Sequence, residues 1–251
     1  MDRKIPTPSI SYFEIGPFVI HFYAICIILG ILIAIEITKR RYSKPNQIND
    51  LAFYAIIFGL IGARIYHVLT SFQIYQNGNW LAAFKIWEGG LGIWGAIAGG
   101  AIAIFVRTRK LGLSFLEIAD AAAPGILIAQ GIGRFGNWFN AELFGKPTNL
   151  PWGLFIPKSD RPIEYLRFSY FHPTFLYEAI CSFLFAFLLL RLKLKSGAIF
   201  ALYIFGYCSY RFFIEGLRID PANLFFGLRL NQVTSLAVGA AGFTFFLLAI
   251  R

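Results

Sequence analysis

Seven long apolar runs, each closed by a polar or basic stretch, divide the chain at about residues 17–38, 51–70, 89–106, 115–133, 173–190, 197–213 and 230–250. At 1.5 Å of rise per residue, runs of this length are near what a helix needs to cross about 30 Å of hydrocarbon. The pattern predicts an all-α polytopic membrane protein, with seven transmembrane helices forming a single membrane domain over 1–251. The one long interruption, 134–171, mixes both charges and is dense in proline and glycine between Gly145 and Pro157. It reads as a small extracytoplasmic head inserted between the fourth and fifth spans. Residues 1–16, with Pro6 and Pro8, lack the charged, apolar and small-residue succession of a removable signal peptide and read as an outer tail.

Charge gives the runs a direction. Lys39, Arg40, Arg41 and Lys44 follow the first run, Arg107, Arg109 and Lys110 the third, and Arg191, Lys193 and Lys195 the fifth. Short basic loops stay on the cytoplasmic side, so the amino terminus is expected outside and the carboxyl terminus, ending on Arg251, inside. Composition agrees with the class: 57% of the 251 residues are apolar and only 14% charged, where a soluble domain carries about 25% charged residues. The net charge of +10 is scattered between apolar runs rather than gathered on one solvated face. Anionic membrane lipids therefore fit as partners and nucleic acid does not. Cys26, Cys181 and Cys208 lie inside apolar runs without CxxC spacing, and His21, His67 and His172 do not cluster, so neither a disulfide framework nor a metal site is expected.

Against this background the polar residues at span ends stand out. Residues 131–145 read GIGRFGNWFNAELFG and place Arg134, Asn137, Asn140 and Glu142 directly after an apolar run. Arg211 and Glu215, four apart at the end of the sixth run, share a helix face and can pair, with Arg218 three residues on. With the expected orientation these groups, His172 and the glycine-rich ends around Arg64 all come to the outer half of the membrane. Charged groups at such depth cost several kcal/mol unless paired or wet (roughly 2.5–3.5 for Arg on insertion scales) and mark function. Gly131, Gly133 and Gly136 spell G-x-G-x-x-G, but with no preceding strand they do not make a dinucleotide fold. The glycines from 89 to 100 read as close helix packing. Guanidinium groups bind phosphate bidentately, so an arginine pair here suits a phospholipid headgroup and can stabilise a departing phosphate.

The stretch GRFGNWFNAELFG resembles the signature of the prolipoprotein diacylglyceryl transferases. The resemblance continues through Asp120, HPTFLYE (His172 to Glu178), RFFIEGLR (Arg211 to Arg218), HFYAICIILG in the first run and GARIYHVL in the second. It implies a seven-span enzyme of the bacterial cytoplasmic (inner) membrane. Such enzymes transfer the diacylglyceryl group of phosphatidylglycerol to the lipobox cysteine of prolipoprotein signal peptides, forming a thioether and releasing glycerol phosphate, with no cofactor. The resemblance further implies that Arg134 and Arg211 are the essential arginines near the lipid phosphate. Asn137, Asn140, Glu142 and Gly145 complete the signature, and Tyr23, Asp120, Glu215 and Arg218 match other functional positions. Arg64, in the GARIYHVL match, joins the substrate-binding candidates.

One position departs from the family. Where many members carry a histidine proposed as the base, this chain reads GIWGA with Trp94, which cannot take a proton. Glu142, Glu215 and His172 remain as candidate bases. The expected chemistry is attack of the peptide thiolate on the glycerol carbon, with Arg134 and Arg211 stabilising the leaving phosphate in a chain acting as a monomer. A transporter or flippase for an anionic lipid is the alternative, and the absence of an internal repeat counts against it.

Overall fold

The computed structural model describes residues 4–75 and 80–251. Each apolar run overlaps one helix: α1 (Phe22–Arg41), α2 (Ile48–Thr70), α3 (Ile93–Lys110), α4 (Phe115–Phe139), α5 (Thr174–Arg191), α6 (Ala198–Glu215) and α7 (Leu230–Ile250). By length and composition, α1, α2 with the turn before it, α4, α5 and α7 are apolar enough to cross a membrane. The other two carry charge in their last turns, α3 at Arg107, Arg109 and Lys110 and α6 at Arg211 and Glu215. Leu32, Phe53, Ile102, Leu184 and Leu248 on these helices are exposed; such faces need a hydrocarbon surrounding.

Three two-stranded antiparallel pairs correct the all-α expectation: β1 (Tyr12–Ile15) with β2 (Phe18–His21), β3 (Leu154–Phe155) with β4 (Tyr170–Phe171), and β5 (Leu224–Phe225) with β6 (Leu228–Arg229). The first expected span was to begin at residue 17. Instead Phe18 pairs with Ile15 and His21 with Tyr12 across a tight turn, where Gly16 has φ +58°, a left-handed conformation open to glycine at little cost. The helix begins only at Phe22. The fourth helix departs the other way, running to Phe139 where the apolar run stops at Gly133. Arg134 and Asn137 are therefore helical residues.

Two compact units divide the chain. One comprises the residues up to Ile37 and Ala119–Arg251, the other Thr38–Ile118. In the second, α2 and α3 pack closely through glycines: a Cβ on Gly62 would fall 3.2 Å from the Cα of Gly99 and would overlap the carbonyl of Gly95. Arg107 closes the pair by donating to both oxygens of Asp50 at 2.7 and 3.1 Å. In the first unit, Ala123 and Leu127 of α4, Ala186 and Leu189 of α5 and Ile199 of α6 form one apolar cluster. A second cluster lies in the insertion, where Phe144, Leu154, Ile156 and Phe171 pack on Phe175 at the start of α5. This cluster braces the turn after α4 against the entry to α5, the two places where the signature residues converge.

Candidate active site

Ion pairs link four arginines and three carboxylates of the first unit into one continuous row. Arg134 Nε on α4 forms an ion pair with Glu178 Oε2 at 2.7 Å, and the other oxygen of Glu178 binds Arg211 Nη1. Arg211 Nη2 reaches Glu215 Oε2 at 2.7 Å, one helical turn on. Glu215 also receives Arg218 Nη1 at 3.4 Å, Arg229 Nε at 2.9 Å and Asn231 Nδ2 at 3.2 Å. Asp220 closes the row, accepting from Arg218 Nε at 2.7 Å and Arg229 Nη2 at 2.9 Å. Glu178 and Glu215 are 3% and 0% exposed, so each must be neutralised where it stands.

Four arginines thus meet three carboxylates among the described residues. The row carries one formal positive charge in excess, which favours an anion. Burial works against ionisation of Asp220, but the hydrogen bonds and charge of Arg218 and the charge of Arg229 outweigh it, leaving its carboxyl below the usual aspartate range.

At the α4 end, Arg134 Nη1 donates to Asn137 Oδ1 at 3.3 Å, and Asn137 Nδ2 donates to Glu142 Oε1 at 2.7 Å. Asn140 Nδ2 reaches the same oxygen at 3.4 Å. Glu142 is exposed and lies between Ala141 and Leu143, whose φ values are +52° and +58°. Non-glycine residues held there cost about 1–2 kcal/mol each, and such outliers gather at functional sites. Gly145 follows. Its N–H donates to His172 O at 2.9 Å and it bridges to Arg218. A Cβ on it would stand 2.8 Å from His172 Cβ and 3.1 Å from Leu217 O, so the chain crosses there only as glycine.

The other expected site residues have partners of their own. His172 lies beside Gly145 in the chain crossing, but its Nδ1 faces Tyr177 Oη at 3.1 Å. Burial first, and Lys146 second, push its imidazole below the usual histidine range. Tyr23 packs against Gly136, beside the arginine face of α4. Asp120 accepts from the N–H groups of Gly197 at 2.6 Å and Phe200 at 2.7 Å. This caps the start of α6, whereas Arg211 and Glu215 lie in its last turns, about 16 Å or more away at helical rise. Arg64, in the other unit, donates to the carbonyls of Ala82, Ala83, Gly89 and Gly90. Trp94 stands in the first turn of α3 and is exposed.

Sequence reasoning missed Glu178, Asp220 and Arg229 as site residues. Glu178 carried a usable signal, a carboxylate in the first turns of an otherwise apolar helix. Asp220 and Arg229 sit at a loop and a helix start, where charged residues are ordinary.

Fold and polar row together define an integral membrane protein with a buried cationic row. The chain matches the family model described as prolipoprotein diacylglyceryl transferase over residues 11–248. It is 50% identical, over 94% of its length and 83% of the relative's, to the phosphatidylglycerol–prolipoprotein diacylglyceryl transferase of Cutibacterium acnes. The equally named proteins of Streptomyces griseus and Bifidobacterium adolescentis are 46% and 44% identical over 93% and 97% of this chain and 74% and 79% of theirs. The chain belongs to the prolipoprotein diacylglyceryl transferase family.

Proposed function

We propose that this chain is a phosphatidylglycerol–prolipoprotein diacylglyceryl transferase, carrying out the first step of lipoprotein maturation, with the arginine row as its reaction centre. Membership of the family supports the activity. The single structural observation that carries the assignment of the centre is Glu178 joining Arg134 and Arg211, which holds two guanidinium groups side by side in a row with surplus positive charge.

In this reading the lipid phosphate lies against Arg134 and Arg211. The thiol of the lipobox cysteine gives its proton to Glu142 and its sulfur attacks the glycerol carbon next to the phosphate oxygen. The S–C bond forms as the C–O bond breaks, glycerol phosphate leaves with the electron pair, and the thioether remains on the peptide. Charge grows on the leaving phosphate in a poorly solvated place, where pre-set donors lower the barrier most. Of the three candidate bases Glu142 fits best. Glu215 has both oxygens taken by arginines, and His172 is turned toward Tyr177. Glu142 is exposed to an incoming thiol and tied to Arg134 through Asn137.

The surrounding proposals follow the apolar runs and the charge pattern: seven spans in the cytoplasmic membrane, amino terminus outside, and the 134–171 insertion on the outer face. A monomer is proposed as the working form. The test is purified protein in phosphatidylglycerol vesicles with a lipobox peptide. The expected result is peptide heavier by one diacylglyceryl group with glycerol phosphate released, and loss of about 10²–10³ in rate for Arg134→Ala or Arg211→Ala. Lipid crossing the bilayer without a covalent product would instead support the transporter reading, and near-normal transfer by either variant would remove the arginines from the mechanism.

A further inference from the structure

One turn before Arg134 on α4, a buried amide is only half satisfied. Gln130 Nε2 lies 3.1 Å from Tyr203 Oη of α6, while its Oε1 is buried with no hydrogen-bond partner among the described residues. A buried amide oxygen left alone costs about 1–3 kcal/mol. Rotation of the terminal amide by a half-turn removes that cost at one end. The torsion is broad and two-fold, so the rotation itself is inexpensive. Oε1 then accepts from the Tyr203 hydroxyl, and the NH2 is directed to the place Oε1 had filled. What the amide still lacks in that state is an acceptor.

The order of groups along α4 says which acceptor. Leu127 is wholly buried in the apolar cluster, Gln130 follows three residues later, and Arg134 four residues beyond that. Four residues are about 6 Å of helical rise, and residues so spaced share a face. A diacyl phospholipid presents the same succession: hydrocarbon chain, ester carbonyl, glycerol carbons, phosphate. With the phosphate at Arg134, the carbonyl oxygens fall one turn toward the apolar side. They are acceptors without a proton to give, which is what the rotated amide requires.

We infer that Gln130, held by Tyr203, donates to an acyl ester carbonyl of the lipid donor and so makes the enzyme selective for diester over diether lipid. The inference rests on the transferase reading above and deepens it. Contacts at both ends, carbonyl at Gln130 and phosphate at Arg134, fix the glycerol carbon between them, which is the atom the thiolate must reach.

The experiment compares transfer to a lipobox peptide from diacyl phosphatidylglycerol and from its dialkyl ether analogue, in the same vesicles. The unaltered protein is expected to favour the diester by about 5-fold in kcat/KM, the worth of one hydrogen bond. Gln130→Met, close in volume and unable to donate, should lower the diester value to that of the diether and leave the diether value unchanged. Tyr203→Phe, which frees the amide without changing packing volume, should narrow the same preference if Gln130→Met does not fold. Equal use of both lipids by the unaltered protein, or an equal fall with both lipids in the variants, overturns the inference. Transfer from neither lipid would overturn the transferase reading instead.

Discussion

Arg211 on α6 forms its ion pair with Glu178 on α5, 33 residues away in the chain. The same carboxylate holds Arg134 with its other oxygen at 2.7 Å, so one side chain sets the spacing of two cations from two other helices. Removing one partner of a buried pair leaves the other charge uncompensated, at about 3–5 kcal/mol. Glu178→Ala should therefore lower the unfolding temperature in detergent and abolish transfer. Glu178→Gln keeps the shape and one hydrogen bond, so it should keep more of the stability than of the activity. If Glu178→Ala unfolded at the unaltered temperature and still transferred lipid, the carboxylate would not be what holds the arginines.

How much of this was legible beforehand depends on the range over which each feature is determined. The Arg211–Glu215 pair was readable because helical period alone puts residues four apart on one face, and the structure has it at 2.7 Å. The seven helices were readable because hydrophobic runs of that length leave few alternatives. The β1–β2 pairing was not, since FVIH continues the apolar character of α1 and its partner YFEI lies across the turn at Gly16, in what reads as an outer tail. Nor could the run lengths show α4 continuing to Phe139, because polar residues on one face end an apolar run without ending a helix. Glu178, Asp220 and Arg229 acquire meaning only through partners brought in by other elements. Asp120 and Arg64 came in with the family resemblance, and only the fold shows the backbone groups around them.

Glu142 offers a test of the proton's route. A general base contributes about 10²–10⁴ to rate, so Glu142→Gln should lower kcat by at least about 10²-fold while phosphatidylglycerol binding, governed by the arginines, changes little. Unchanged kcat would leave the thiol to lose its proton to solvent.

His172 gives a prediction of opposite kind, on stability rather than rate. Burial and Lys146 hold its pKa below the ordinary value, so the unfolded chain takes up this proton more readily than the folded one. The linkage then has one sign: stability is full above the unfolded pKa of about 6.5 and falls as pH drops below it, until the folded group also protonates. The unfolding temperature should decrease from about pH 6.5 toward pH 5, and less so in His172→Gln. Transfer at neutral pH should survive that substitution, because Glu142 and not His172 takes the proton. Loss of transfer with intact folding would make His172 the base after all.

Arg64 is a charged residue in an apolar helix whose described hydrogen bonds all go to backbone carbonyls. Its guanidinium donates to Ala82 and Ala83 on one side of the following loop and to Gly89 and Gly90 on the other, and Tyr75 covers it at 5.9 Å. Between those anchors Phe84 and Trp87 stay exposed, so the loop has little apolar burial of its own to hold it. A hydrogen bond from a charged donor is worth about 1.5–3 kcal/mol, and this arginine makes several. Arg64→Ala should therefore raise amide exchange across 82–90 by about 10-fold or more while exchange in α2 and α3, held by Gly62, Gly95 and the Asp50–Arg107 pair, stays slow. Arg64→Lys, with a point charge in place of the planar fork, can satisfy fewer of the four carbonyls at once and should fall between the two. Exchange unchanged in the loop of Arg64→Ala would mean that the loop is held by something other than these four bonds.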